Sequence, residues 1–147
     1  MKIQIKKFRQ LTLDELYTIL KIRVDAFVVE QNCPYPEIDQ KDQEATHFFI
    51  CQQNEIVSYL RVYYRLPTDA AVGRVVTPPA FRGQGLSRAL IQAAIVEIKK
   101  EGKAESIYLQ AQEHLSPFYA TFGFEKTSDI YLEDGIPHVD MSLSILN

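Results

Sequence analysis

Apolar and polar positions change period several times along the chain, and each change marks an element. Lys2 to Phe8 alternates, with Ile3 and Ile5 on one side, which predicts a short strand. Thr12 and Glu15 then make a capping box. From Leu13 the apolar residues Leu16, Ile19, Leu20, Ile22, Val24 and Phe27 recur at helical spacing. Pro34 and Pro36 stop this N-terminal helical region, which is one helix or two pieces, because proline cannot continue a helix. Glu37 to Glu44 is acidic and loop-like. His47–Cys51 and Ile56–Tyr64 are β-rich segments around a tight turn at Gln53-Asn54, and Val72–Thr77 is a third, ended by Pro78-Pro79. Gln84–Lys100 predicts a helix with Leu86, Leu90, Ala93 and Ala94 in one stripe and Ile91, Ile95 and Ile98 in the next. That wide apolar face suits packing on a sheet, and Gly102 ends the helix. Ile107, Leu109 and Ala111 alternate in a further strand. Ser116 and Pro117 open a short helix that ends at Gly123. Phe124–Tyr131 and His138–Ile145 close the chain as two strands, the second with Val139, Met141, Leu143 and Ile145 on one face.

The order is β-α-β-β-β-α-β-α-β-β. Strands joined through crossover helices imply an α/β fold, a mixed sheet with helices on its faces. The chain has 147 residues, the size of one domain, read here as 1–147, and its six glycines all fall at segment breaks. Apolar residues make up 46% and charged residues 24%, as in ordinary globular proteins. A formal net charge of −3 without a cationic tail argues against a nucleic-acid partner. No run approaches the ~20 apolar residues of a membrane span, and Lys2, Lys6 and Lys7 interrupt any leader, so a cytoplasmic protein with no membrane partner is expected. Cys33 and Cys51 make no disulfide framework. Two cysteines and three scattered histidines do not suggest a zinc site, so no metal is expected.

The informative stretch runs from Val75, Val76 and Thr77 through Pro78-Pro79-Ala80-Phe81 to Arg82, Gly83, Gln84, Gly85, Leu86, Ser87 and Arg88. A strand enters a glycine-rich turn and the turn opens a helix. First-turn N–H groups have no intrahelical partner, the helix dipole adds positive potential, and Gly83 and Gly85 let the backbone approach a ligand. Together these make a pyrophosphate cradle, with Arg82 and Arg88 as cations at its edge. A plain strand–turn–helix is the simpler alternative. A dinucleotide fingerprint fits poorly, since Arg88 stands where its third glycine belongs and the stretch lies mid-chain.

Arg82-Gly83-Gln84-Gly85-Leu86-Ser87 resembles the R/Q-x-x-G-x-G/A signature of the GNAT acetyltransferases, with Ser87 where Gly or Ala is usual. Ser116 to Phe124 resembles that family's F-Y-x-x-x-G-F segment. Phe27–Tyr35, Gly73–Val76, Gln110–Gln112, His114-Leu115 and Glu133–His138 resemble its ElaA-type subgroup, so the similarity spans essentially the whole chain. The resemblance implies a mostly antiparallel sheet and acetyl-coenzyme A as co-substrate. It further implies direct transfer to a primary amine in a ternary complex, without an acyl-cysteine at Cys33. It also implies a bulged strand at Val75–Thr77 whose backbone N–H faces the oxyanion, and Tyr119 as the acid that protonates the leaving thiolate. A free thiol has a pKa of about 8.5 and a phenol about 10, so a nearby phenol can donate to the thiolate. Tyr119 is otherwise a core aromatic beside Phe118 and Phe122.

His114, just after the strand Ile107–Ala111, is the candidate general base; otherwise it caps the following helix. Glu30, Glu37, Glu133 and His138 are expected around a cationic acceptor, a small molecule or peptide amine, unless they only fix their loops. His47 is read as structural. Asp39, Asp42 and Glu44 are read as a solvated acidic loop, and Arg61, Arg65 and Arg74 as solvated arginines on outer strand faces, or otherwise as partners of cofactor phosphates or an anionic substrate. A coenzyme A sensor without efficient turnover, and more remotely a dinucleotide oxidoreductase, remain as alternatives. The acceptor's identity and a homodimer are left open.

Overall fold

The computed structural model describes residues 2–145; Met1, Leu146 and Asn147, the ends of the 1–147 domain assignment, lie outside the described residues. The strands are β1 (Lys2–Lys7), β2 (Thr46–Gln52), β3 (Glu55–Leu66), β4 (Asp69–Val76), β5 (Ser106–Gln112), β6 (Glu125–Lys126), β7 (Tyr131–Glu133) and β8 (Ile136–Ser144). The helices are α1 (Leu13–Val24), α2 (Leu86–Glu101) and α3 (Ser116–Ala120). All eight strands join one sheet in the order β1-β2-β3-β4-β5-β8-β6, with β7 also on β8. Every pairing is antiparallel except β4 with β5. The α/β order and the mixed, mostly antiparallel sheet therefore stand as expected, with one difference. The single strand expected over Phe124–Tyr131 is two short ones, β6 and β7. Between them the Ser128 hydroxyl accepts from the Asp140 N–H at 2.9 Å, so a side chain replaces the neighbouring strand as acceptor and the ladder breaks.

The capping box at α1 forms as the sequence predicts: Glu15 N donates to Thr12 Oγ1 at 3.0 Å, and Thr12 N to Glu15 Oε1 at 2.9 Å. Past Val24 the chain keeps turning but widens to π-helical winding over Asp25–Glu30. The N-terminal helical region is thus continuous, with a change of winding rather than a break. Such turns recur at functional sites because they re-aim the side chains that follow.

Alternation along the strands divides the sheet into two faces. On one face Phe48, Ile50, Leu60, Val62, Ile107, Leu109, Val139 and Met141 pack against the wide apolar face of α2 through Leu90, Ile91, Ala94 and Ile98. On the other, Phe49, Tyr59 and Val76 pack beneath Ile19 of α1 and Ala26 of the π turn. α1 covers only the β2–β4 half of its face. The β5–β8 half of that face carries Tyr108, Gln110, Gln112, His138 and Asp140, and no helix among the described residues seals it. No helix among the described residues is long and apolar enough to cross a membrane.

Candidate active site

The two parallel strands at the centre separate as they run. β4 and β5 are paired only at Asp69–Ser106, Ala70–Ile107 and Ala71–Tyr108, so from Val72 and Leu109 onward a gap opens between them. β4 also carries a bulge. Tyr59 faces Val76 and Arg61 faces Gly73, so two steps on β3 match three on β4, and Arg74 sits at φ 51. A bulge leaves a residue out of the ladder and bends its strand, which frees backbone donors beside the gap. A positive φ in an arginine is unfavourable. Here the side chain compensates: Arg74 Nε donates to Glu37 Oε2 at 2.6 Å and Nη2 to the Glu37 carbonyl at 3.0 Å.

Three cavities lie in series along this gap. The first, about 210 Å³, is lined by Thr77, Arg82, Gly83, Gly85, Ser87 and Phe118. The second, about 460 Å³, shares Thr77, Arg82, Ser87 and Phe118 with it and adds Val75, Val76, Glu30, His114 and Tyr119. The third, about 340 Å³, shares Val75, Gln112, Leu115 and Tyr119 with the second, then extends to Tyr35, Lys41, Arg74, Glu133 and His138. Tyr119 and Val75 thus stand at the junction of the second and third.

The glycine-rich turn closes one end. Gly83 and Gly85 adopt φ 82 and 76, and a Cβ on either would meet nothing within 4 Å. Gly85 is the N-cap of α2 and brings no side-chain cap, so the first-turn N–H groups are left for a ligand. Ser87, the departure from the family pattern, turns its hydroxyl to Thr77 Oγ1 at 2.7 Å, and Thr77 Oγ1 lies 2.8 Å from the buried Ser58 hydroxyl. The serine is tied to its strand by these contacts. Arg82 forks onto Glu30 at 2.8 Å through each Nη and donates through Nε to the Thr77 carbonyl at 2.7 Å. Arg88 lies over the Phe118 and Phe122 rings.

Tyr119 is 7% exposed, and burial alone pushes its phenol up to about 12. The group therefore keeps its proton at neutral pH. His114 sits in an exposed 3-10 turn, Glu113–Leu115, on the second cavity only. Glu133 and His138 line the third cavity only, and Glu30 the second.

Several expectations are corrected. Glu37 lines none of the three cavities. It is 4% exposed, and its carboxylate accepts from Arg23 Nε at 2.8 Å, from Arg74 Nε and from the Tyr35 hydroxyl. Buried and held by three donors outside the cavities, it is not placed to meet an amine. Of the acidic loop, Glu44 is exposed as expected, but Asp39 and Asp42 are not solvated. Asp42 is 5% exposed and accepts from Arg23 Nη1 at 2.8 Å and Arg61 Nη1 at 2.9 Å, while Asp39 takes Arg61 at 2.8 and 2.5 Å. Arg61, expected on an outer face, is 2% exposed, whereas Arg65 remains half-exposed against Asp69. Three arginines and three carboxylates thus neutralise one another behind the third cavity's wall. Burial pushes the Asp39 carboxyl up, but the hydrogen bonds and charge of Arg61 and the charge of Arg74 outweigh it and hold it at about 2. His47 is buried and neutral, its Nδ1 2.7 Å from the Tyr59 hydroxyl and its Nε2 2.9 Å from the Asp42 carbonyl. Arg23 was missed, although its signal was present: it lies four residues after Ile19, on the stripe α1 buries.

The comparisons agree with this geometry. The family described as "Acetyltransferase (GNAT) domain" matches residues 17–145. The chain is 40% identical to a UPF0039 protein of Schizosaccharomyces pombe over 142 residues, 95% of either chain. The crystal structure of Escherichia coli ElaA superposes with a TM-score of 0.90 at 33% identity, covering 96% of this chain and 97% of that one. That of an acyl-CoA N-acyltransferase from Pseudomonas aeruginosa gives 0.89 at 37% identity, with the same coverage.

Proposed function

The chain belongs to the GNAT acetyltransferase family and is an acyltransferase, and on that premise we propose that it transfers an acetyl group from acetyl-coenzyme A to a primary amine by direct attack in a ternary complex. The observation that carries this reading is the placement of Tyr119 and Val75 where the cavity from the glycine turn meets the cavity from the Glu133–His138 hairpin. The pyrophosphate would lie on the open backbone of Gly83 to Arg88, which has the room and the unpaired N–H groups it needs. The pantetheine arm would run past Thr77, Ser87 and Phe118 to bring the thioester to the junction. Its carbonyl oxygen would meet a backbone N–H of Val75 or Val76 at the bulged end of β4, where negative charge develops on attack. Tyr119 would give its proton to the departing thiolate. The acceptor amine would enter through the third cavity.

A panel of primary amines with detection of released coenzyme A thiol tests the reading. Wild type should release thiol only when an amine it uses is present. Tyr119→Phe keeps the ring and its packing but loses the proton, so turnover should fall by about 10²–10⁴-fold with cofactor affinity intact. Equal turnover in the two proteins across the pH range removes Tyr119 from the chemistry. A wild type that binds acetyl-coenzyme A but releases no thiol with any amine is a sensor.

A further inference from the structure

We propose that His138, acting through Nε2, is the general base that takes a proton from the acceptor ammonium; this rests on the acetyl-transfer reading above. Two hydrogen-bonding facts carry it. Nδ1 of His138 lies 2.7 Å from the Ile136 carbonyl oxygen. A carbonyl only accepts, so Nδ1 carries the hydrogen, and in the neutral ring the lone pair is on Nε2. The ring is also held from the side. It stacks on Tyr131 with an interplanar angle of 25° and 6.3 Å between centroids. Tyr131 is anchored in turn, donating to Asp140 Oδ1 at 2.6 Å and accepting from Gln110 Nε2 at 2.7 Å.

Placement completes the case. His138 lines the third cavity, and across the sheet it stands directly opposite Gln112, which lines both the second and the third. Directly opposed residues have Cβ atoms about 5 Å apart, so the imidazole is one side chain from the junction where Tyr119 and Val75 meet. The charged groups around it suit an ammonium. Glu133 and Asp134 on its hairpin and Asp140 on its own strand are negative, with Tyr131 beneath. Across the cavity Lys41 and Arg74 are positive, but Arg74 is neutralised by Glu37 and Asp39. Tyr35, Cys33 and Tyr119 face the same space, and burial raises both phenols so that they keep their protons at working pH. His114 has none of these features: it lines only the cofactor-side cavity, is exposed, and neither ring nitrogen bonds to a described residue.

The protons balance as follows. One leaves the ammonium for His138 Nε2 and passes to solvent. The neutral amine then forms the C–N bond, the C–S bond breaks, and the thiolate takes the Tyr119 proton. The nitrogen's second proton restores the phenol through solvent.

Two measurements test the assignment. Nitrogen-15 NMR of the imidazoles should show the Nδ1–H tautomer for His138 near neutral pH; an Nε2–H tautomer overturns the proposal without any acceptor being needed. Kinetics with the primary alkyl amines of the panel supply the second. His138→Gln should lower kcat/KM by about 10²–10⁴-fold, abolish the acid limb expected of the wild-type pH profile, and recover activity as pH rises and the amine deprotonates unaided. Affinity for acetyl-coenzyme A should not change, which also shows that the variant folds. With hydroxylamine, whose nitrogen is already unprotonated near neutral pH, variant and wild type should differ little. An unchanged acid limb in His138→Gln, or its loss in His114→Gln instead, overturns His138 alone. Failure of wild type with every amine overturns the acetyl-transfer reading and this role with it.

Discussion

At the glycine-rich turn the groups offered to a ligand are backbone N–H donors, whereas at the far end of the cleft they are side chains held in place by other side chains. Gly83, Gly85 and the first turn of α2 present their donors through local conformation, and the open space over both glycines needs no distant partner. The wall behind the third cavity is the opposite case. Arg23 from α1, Arg61 from β3 and Arg74 from β4 converge on Glu37, Asp39 and Asp42 of a single loop. One end tolerates change unless the change falls on the turn itself. The other depends on several segments at once.

The largest effect should come from breaking the charge balance of that wall. Arg23 is fully buried and serves both Glu37 and Asp42. Arg23→Met keeps the packing but leaves buried carboxylates short of a cation, which costs about 3–5 kcal/mol when one partner of such a pair is removed. Urea unfolding should show this as a lower midpoint at unchanged slope; a loss below about 1 kcal/mol would mean that the cluster contributes little. The same region sets the acid limit. Asp39 and Asp42 have depressed folded values, so each stabilises the fold above the ordinary carboxylate range and loses that contribution as pH falls through its folded value, about 2 for Asp39. For Asp42, burial pushes upward, and the hydrogen bonds and charge of Arg23 and then Arg61 overcome it. Burial lowers the His47 value, so the unfolded chain takes up a proton near 6.5 that the fold resists, and stability already declines below that pH. Stability should therefore fall continuously from about pH 6.5 to about pH 2, with the carboxylate part shallower in Arg23→Met.

The next effect should be confined to the turn. Gly85→Asp forces a side chain and a negative charge onto a φ of 76 at the mouth of the cradle. At a ligand concentration of 100 times Kd, binding stabilises a folded protein by about 2.7 kcal/mol. The variant should lose that thermal shift with acetyl-coenzyme A while Arg23→Met, scanned at a temperature where it is folded, should retain it. If Gly85→Asp keeps the shift, the turn does not hold the cofactor.

That contrast also explains what the sequence could convey. The strand, the turn and the start of α2 lie within Val75 to Arg88, so local pattern and glycine placement were enough to point to them. The capping box at Thr12 and the stripes of α2 were legible for the same reason. The arginine–carboxylate wall was not, because each of its residues is an ordinary charged residue in its own segment. Only the fold brings them together, so Glu37 read as an acceptor contact and Arg61 as a surface cation. His138 shows the intermediate case. Its place beside a turn was visible, but the carbonyl that fixes its tautomer and the tyrosine that fixes its plane are properties of the folded hairpin.

The smallest effect concerns the ion pair that ties the π turn to the glycine-rich turn. Glu30, at the close of the π turn, holds Arg82 in a fork at 2.8 Å on each arm, and the pair is half-exposed, at 43% and 46% for the two side chains. Exposed pairs of this kind contribute about 0–1 kcal/mol, so Glu30→Gln should leave stability nearly unchanged. What it changes is the charge beside the cradle. With Glu30 neutral, the Arg82 guanidinium keeps its Nε bond to the Thr77 carbonyl but carries an unopposed positive charge on its outer face. A pyrophosphate on the adjacent turn should then bind more tightly, by a factor of up to about five, the equivalent of 1 kcal/mol. The gain should shrink in high salt, since the groups are within a screening length but open to solvent. Because Glu30 lines the cofactor-side cavity and not the one with Glu133 and His138, the Michaelis constant for the amine should stay put. Titration calorimetry at low and high salt, with steady-state kinetics beside it, separates the outcomes. Weaker cofactor binding in Glu30→Gln would mean that the carboxylate aims Arg82 at the phosphates rather than masking it, and a raised Michaelis constant for the amine would return Glu30 to the acceptor side of the cleft.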